Sequence, residues 1–205
     1  MLKVKKEWVS NIPMTIKYAR LSHQSVEKSD STEQKLGEAD LNLAKKLCKA
    51  GSSHRKFMRQ IHVLALVEAP WKFFKEYATY KIGTTENSSS MMHTLTDREL
   101  TEDDFSWERK TLARKKMLDN ANNILRKYKN APEKDKYVLW EELNDIIGGS
   151  YKYERIIDVS YEQLANMYFQ RKVRPHKMRE WHQFAQWIET LPYFELIEIS
   201  AKGDE

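Results

Sequence analysis

The sequence predicts an α+β fold that is mostly helical and forms one domain, residues 1–205. The first observation is the stretch Phe57–Val67, where apolar residues alternate with others as in a strand with one buried face. The second is the stretch Thr101–Thr190, where apolar residues recur mostly at helical spacing. The third is composition: 40% of the 205 residues are hydrophobic and 11% aromatic, enough for a packed core. The inward positions predicted for the strand are Ile61, Val63, Ala65 and Val67.

The first part of the chain predicts short elements joined by polar segments. Alternation at Met14–Tyr18 predicts a strand, and helical spacing at Asp40–Lys49 predicts a helix that ends near Gly51. The segment Ser22–Gly37 is rich in Ser, Lys and Glu, which is typical of a loop. Within it, residues 23–37 are the candidate mobile segment.

Proline and glycine divide the rest of the chain. Pro70 is suited to the start of a short helix, and Lys81–His93, rich in small hydroxyl residues, predicts a loop. The residues from 201 to 205 are predicted to fray. The helices predicted beyond the loop are one from Thr101 to Pro132, Lys134–Ile147 before Gly148, one that begins at Ser160 with Gln163 in a capping box, and Lys177–Thr190.

Composition also indicates a compartment. A single cysteine, Cys48, excludes a disulfide within the chain and fits a reducing environment. Cys48 continues the apolar spacing of its helix, which favours a buried thiol over a reactive one. No apolar run reaches the roughly 20 residues of a membrane helix, and the basic Met1–Glu7 leads into no signal-peptide core. We therefore expect a cytoplasmic protein without a membrane segment.

Motifs for common chemistries are missing from the sequence. The six histidines stand outside any metal-binding spacing, so no metal site is predicted. There is no G-x-S-x-G elbow, no phosphate-binding P-loop and no G-x-G-x-x-G. Ser88, Ser89 and Ser90 have no evident base and fit a polar turn. No catalytic residue can be assigned on these grounds.

Two basic clusters are candidates for binding anions. The 35 basic and 30 acidic residues give a net charge of +5, mostly interleaved as on a solvated surface. The cluster His54–Lys56 with Arg59 either holds phosphate or forms a solvated edge of the predicted strand. The run from Arg171 to Arg179 either binds nucleic acid or forms a charged connection between helices.

Five blocks, in order, resemble the flavin-dependent thymidylate synthases. That family has an A-A/R-V-S entry, a Gly-His pair before a strand, an Ala-Pro exit, the signature R-H-R-x7-S, and a later helix with N-x-x-x-x-x-R. The blocks here are Tyr18-Ala19-Arg20-Leu21-Ser22, Ser53-His54, Glu68-Ala69-Pro70, Thr79-Tyr80-Lys81 with Ser89, and Asn166 with Arg171. The resemblance covers about residues 14–95 and 158–190.

The resemblance implies a fold, ligands and contact residues. The fold is a central antiparallel sheet with several long helices, in a homotetramer whose flavin sites lie between subunits. The ligands are FAD and dUMP, with NADPH and methylene-tetrahydrofolate if the chain is active, for reductive one-carbon transfer to the base. The resemblance assigns flavin contact to His54, Lys81, Asn87 and Asn166, and dUMP contact to Glu76, Ser89 and Arg171.

The departures from the family pattern leave two hypotheses open. The signature arginines are replaced by Thr79 and Lys81, its histidine by Tyr80, and a further arginine by Met91. One hypothesis is a divergent enzyme of this class. The other is a degenerate homologue that binds a nucleotide or nucleic acid without turnover. The cations available as substitutes are Lys81, Arg55, Arg59 and Arg174.

Overall fold

The computed structural model describes residues 1–173 and 176–202. Four strands form one antiparallel sheet in the order β1-β2-β4-β3. The strands are β1 Lys3–Val9, β2 His62–Pro70, β3 Thr84–Ser88 and β4 Lys152–Ser160. The helices are α1 Ile12–Ala19, α2 Glu38–Lys49, α3 Trp71–Tyr77, α4 Met91–Thr94, α5 Leu112–Asn130, α6 Glu133–Ile147, α7 Tyr161–Tyr168, α8 Arg179–Ile188 and α9 Phe194–Lys202. The α+β class with an antiparallel sheet is confirmed.

The chain packs as two compact units, one formed by 1–3, 68–79 and 87–155, the other by 4–67, 80–86 and 156–205. In the first unit α5 packs on α6 around a buried apolar cluster. That cluster is Leu95, Leu100, Phe105, Ala121, Ile124, Leu125, Leu143 and Ile147. In the second unit α9 packs against α2 and α7. The single-domain assignment stays a prediction.

Strand β2 confirms the alternation predicted from the sequence. Ile61, Val63, Ala65 and Val67 are fully buried, while Leu64 between them is 40% exposed. The strand itself begins later than predicted, because Lys56–Arg59 forms a 3-10 turn. Fully buried and more exposed residues therefore alternate along this strand, as in a sheet with one buried face.

The predicted strand at Met14–Tyr18 is wrong, since these residues lie in α1. The Asn11 side chain caps this helix by accepting from the backbone N–H of Met14 at 2.9 Å, and Pro13 stands in its first turn. The helix cap at Asn11 therefore decides the structure of this segment, and the weak alternation of its five residues does not. Strand β1, in the basic N-terminal stretch, was not predicted.

The predicted loop Lys81–His93 is wrong in part, because it contains β3 and α4. The helix predicted from Thr101 begins only at Leu112. Strand β4 and helix α9 were not predicted, and α9 keeps Ala201 buried in what was expected to be a frayed tail. The helices predicted at Asp40–Lys49, Lys134–Ile147, from Ser160 and at Lys177–Thr190 correspond to α2, α6, α7 and α8.

A buried carboxylate ties part of the predicted mobile segment 23–37 to α2. Asp40 is fully buried and accepts hydrogen bonds from the hydroxyls of Ser29 and Ser31, both at 2.6 Å, and from Arg20 Nε. Burial alone would raise the pKa of Asp40, but these three donors outweigh it and hold that pKa below its usual value. The charged form of Asp40 therefore stabilises the fold. Mobility elsewhere in 23–37 stays a prediction.

Asp40→Asn is expected to lower the free energy of unfolding by about 2 kcal/mol at neutral pH, because Arg20 loses its counter-ion. The lowered pKa makes this contribution present above the unfolded value of about 3.9 and lost as pH falls through the folded pKa. Urea titrations should therefore show the difference between wild type and variant shrinking below pH 4. Asp119→Asn, at an exposed position of α5, is the control and should change little. A gap that stays constant to pH 2.5 would contradict the account.

Candidate functional site

Helix α7 and the turn after it carry two of the predicted contact residues. Ser160 caps α7 by accepting from the Gln163 N–H at 3.3 Å, which confirms the start of the predicted capping box. After Tyr168 the backbone continues as a π-helical turn, Phe169–Val173. Such turns are rare and often mark functional positions. Asn166 lies on α7 and Arg171 within the π turn.

Asn166 and Arg171 are joined by a chain of hydrogen bonds through Tyr80. Arg171 Nε donates to the Tyr80 hydroxyl oxygen at 2.8 Å. The Tyr80 hydroxyl donates to Gln170 Oε1 at 2.9 Å, and Gln170 Nε2 donates to Asn166 Oδ1 at 2.8 Å. We call Tyr80, Asn166, Gln170 and Arg171 the Tyr80 relay. The structure thus brings together two predicted site residues through one that was noted only as a departure.

Two aromatic rings face the Arg171 guanidinium. Its Cζ lies 4.6 Å from the ring centroid of Trp181 and 5.5 Å from that of Tyr80. The two rings meet edge to face at 5.7 Å. Trp181 is fully buried and Tyr80 is 6% exposed, so both rings are fixed by their surroundings. Cation–π attraction and the hydrogen bond to Tyr80 therefore restrict the position of the Arg171 guanidinium.

The loop that carries Tyr80 and Lys81 is tied to the start of α7. Ser160 N donates to the Gly83 carbonyl at 3.1 Å. Gly83 has φ +68, and a Cβ there would lie 2.9 Å from Ser160 Oγ, so the position needs glycine. Lys81 is exposed beside this turn. Residues 80–83 therefore connect the π turn after α7, which Tyr80 contacts, with Ser160 at the start of the same helix.

The basic cluster before β2 divides into an exposed and a buried part. His54 is exposed and lies in a turn, where its backbone N–H donates to Gly51 O at 3.0 Å. Arg55 is only 2% exposed and binds Glu162 of α7, with Nε–Oε2 at 3.0 Å and Nη2–Oε1 at 3.3 Å. Arg55 is therefore a core ion pair, and the expectation that it replaces a signature arginine is wrong. Arg59 is exposed, and Arg174 lies outside the described residues.

The other three predicted site residues belong to the first unit. Glu76 lies on α3, and its backbone carbonyl accepts from Thr79 Oγ1 at 2.7 Å. Asn87 is exposed on β3. Ser89 N donates to Glu154 O at 3.0 Å, which continues the pairing of β3 with β4. Their assignments as ligand contacts stay predictions.

Ser89 also lines a cleft of about 240 Å³ in the first unit. Two cations border it, and both are paired with acids. Arg98 donates to both carboxylate oxygens of Asp104, and Lys152 Nζ lies 3.0 Å from Glu68 Oε1. Burial would raise the pKa of Asp104, but the bonds from Arg98 and Thr101 lower it overall. Both cations of the cleft are thus already paired, and Asp103 and Glu154 add two further carboxylates to its lining.

Three further features concern the thiol, metal binding and membrane spanning. Cys48 is fully buried, which confirms the predicted buried thiol, and burial raises the pKa of this thiol to about 11. Among residues 1–173 and 176–202, no group of three or more His, Cys, Asp or Glu side chains is placed to hold a metal ion. Within the same ranges no helix has the length and apolar character to cross a bilayer.

Comparison with solved structures identifies the fold. No protein-family model matches the sequence, and no curated protein matches it. Thymidylate synthase X (ThyX) from Helicobacter pylori, solved with FAD and dUMP, aligns over 98% of this chain and 99% of its own, with a TM-score of 0.74 and 14% identity. A second structure of ThyX from Helicobacter pylori, also with FAD and dUMP, gives 0.74 and 15% over 96% and 97%.

A third neighbour is a nucleotide methylase. The UMP/dUMP methylase PolB from Streptomyces cacaoi, bound with 5-Br dUMP, aligns over 99% of this chain and 93% of its own, with a TM-score of 0.60 and 16% identity. The chain therefore has the fold of the flavin-dependent thymidylate synthases, as the resemblance of its sequence blocks implied.

Proposed function

We propose that this chain binds a pyrimidine deoxynucleotide, dUMP, and uses Arg171 as its principal charged contact. The observation that carries the proposal is the Tyr80 relay, which holds one arginine on two aromatic rings. A guanidinium fixed in this way binds an anionic or carbonyl oxygen better than a mobile surface cation does. The three neighbours support the ligand class, because each was solved with dUMP or 5-Br dUMP.

We also propose that the second unit contributes to a flavin site. Its predicted contacts are the exposed His54, Lys81 and Asn166, which offer a cation and amide or imidazole groups to phosphate and carbonyl oxygens. This donor set fits FAD, although with less charge than an Arg-His-Arg signature would supply. When bound, the flavin supplies hydride chemistry for one-carbon transfer to the base, with NADPH and methylene-tetrahydrofolate as co-substrates. The chain's own groups bind and orient the ligands.

The alternative is a homologue that binds a nucleotide without turnover. It is favoured by Thr79, where the signature has arginine, because the Thr79 hydroxyl is turned to the Glu76 carbonyl of its own helix end. No cation is supplied at that position. Met91 likewise replaces a charged side chain with an apolar one. Both candidates share the dUMP proposal and differ only in chemistry.

Three measurements separate these proposals. Titration with FAD, followed by visible absorbance, is expected to show saturable binding at micromolar concentration. Calorimetry is expected to show dUMP binding. Release of tritium from 5-tritiated dUMP, with flavin, NADPH and methylene-folate present, would identify the enzyme. Binding without release would support the degenerate homologue, and binding of neither ligand would contradict the whole proposal.

A homo-oligomer, a tetramer by resemblance, belongs to the same proposal. It is supported by the open face of the sheet in the second unit. Ser10 pairs with His62, which sets Trp8 beside Leu64, and these two side chains are 53% and 40% exposed. Light scattering on purified protein tests it, and a monomer at micromolar concentration would contradict it. We propose the cytoplasm as the location, in line with the single reduced thiol.

A further inference from the structure

We infer that Tyr80 is the positioning residue that aims Arg171 at dUMP. The inference rests on the proposed function, because it concerns how the proposed dUMP contact is made. Tyr80 touches Arg171 and Gln170, and no role in nucleotide contact is required of the Tyr80 ring itself. Tyr80 acts through Arg171.

The hydrogen bond between Arg171 and Tyr80 has only one possible direction. Arginine is always protonated and can only donate, so the Tyr80 oxygen must accept from Arg171 Nε. The hydroxyl proton is then available for Gln170 Oε1, which can only accept. The Gln170 amide in turn donates through Nε2 to Asn166 Oδ1, so the Tyr80 hydroxyl connects Arg171 with α7.

The chemistry of Arg171 has a consequence for the ligand. A guanidinium has donors and no acceptor, so it selects a ligand rich in acceptor oxygens, as a nucleotide phosphate is, over a cationic one. The Tyr80 hydroxyl oxygen accepts from this guanidinium, so loss of the hydroxyl would release Arg171.

Preorganisation explains why one tyrosine can matter here. A long arginine side chain loses much rotamer freedom on binding an anion. In this chain the guanidinium is already held by the Tyr80 hydroxyl at 2.8 Å and by the Trp181 ring at 4.6 Å. Binding then requires less ordering, and affinity rises. Tyr80 stands at the signature's histidine, so the chain combines fewer arginines with one that is held in place.

The test is a double-mutant cycle on dUMP affinity. Tyr80→Phe keeps the ring and removes the hydroxyl, and it is expected to weaken dUMP binding about 5- to 10-fold, the range of one lost hydrogen bond. In an Arg171→Gln background the same change should alter the dissociation constant by less than about 2-fold, because its effect passes through Arg171. A purely structural effect would persist in both backgrounds.

A matched control comes from α7, the helix that carries Asn166. Tyr168 of α7 also loses a hydrogen bond on change to phenylalanine, since its hydroxyl donates to Glu189 Oε1 at 2.8 Å. Tyr168→Phe is expected to lower the thermal midpoint while leaving dUMP affinity unchanged. The inference is overturned if wild type binds dUMP and Tyr80→Phe binds it equally well, or if both backgrounds lose the same factor. Failure of wild type to bind dUMP would instead overturn the proposed function.

Discussion

Replacing Arg55 with alanine is expected to lower the free energy of unfolding by about 3–5 kcal/mol. The guanidinium is buried, makes two hydrogen bonds to Glu162, and donates through Nη1 to the Ser200 carbonyl at 3.2 Å. Removing it leaves a carboxylate that is only 19% exposed without its counter-ion. The free energy of unfolding of a typical domain is about 5–15 kcal/mol, so the variant is expected to lose a large part of its stability.

The mechanism can be separated from simple loss of volume. Arg59→Ala removes an arginine four residues later that is exposed and donates through Nη2 to Ser52 O at 3.4 Å. It should change stability by no more than about 0.5 kcal/mol. The double variant Arg55→Met with Glu162→Leu replaces the pair by apolar groups and should recover a large part of the loss. If urea unfolding shows the same loss of stability for Arg55→Ala and Arg59→Ala, the ion pair between Arg55 and Glu162 does not stabilise the fold.

Arg55 also shows a limit of reasoning from sequence. In the stretch His54–Lys56 it looks like one of several solvated or phosphate-binding cations. Its actual environment depends on Glu162, which is 107 positions away and joins it only when α7 packs against the turn before β2. Local composition cannot distinguish a buried ion pair from a surface cluster, because the partner is not local.

The elements that were predicted correctly share a local cause. Helices α2 and α6 each repeat apolar residues over several turns and end near glycine, and β2 alternates over a long run. Strand β3, in contrast, is a polar edge strand held by backbone bonds such as Ser89 N to Glu154 O. Backbone pairing leaves no signal in a sequence as polar as Thr84–Ser88, so the sequence of this stretch predicts a loop.

The candidate site was predicted in outline only. The resemblance assigns Asn166 and Arg171 to one helix, and the structure has Asn166 in α7 and Arg171 in the π turn that continues it, with the relay between them. The role of Tyr80 could not be predicted, because it lies 91 positions from Arg171 and appeared only as a lost histidine. Its signal was present as an aromatic residue in a polar loop, but only the fold shows what it contacts.

Arg171→Gln is expected to weaken dUMP binding about 10- to 100-fold, the range of a lost charge-assisted hydrogen bond. Glutamine keeps part of the stem and a donor but removes the charge that Trp181 and Tyr80 hold. Calorimetry with dUMP measures the effect, and thermal unfolding checks that the variant is folded.

Lys172→Gln is the matched control for Arg171→Gln. Lys172 is the next cation of the same π turn, is exposed, and lies 3.4 Å from Glu189. If Arg171 is a specific contact, Lys172→Gln should change dUMP affinity by less than about 2-fold, because a solvated charge contributes little.

The same pair of variants decides between a nucleotide site and the nucleic-acid hypothesis for the run 171–179. A module that binds DNA through phosphates would lose affinity by a similar factor from either substitution, with a steep dependence on salt. Comparable losses for single-stranded DNA in both variants, together with no effect of Arg171→Gln on dUMP, would transfer the function of this turn from a small nucleotide to a polymer. Selective loss of dUMP binding in Arg171→Gln is expected instead, because only Arg171 is held by the Tyr80 relay.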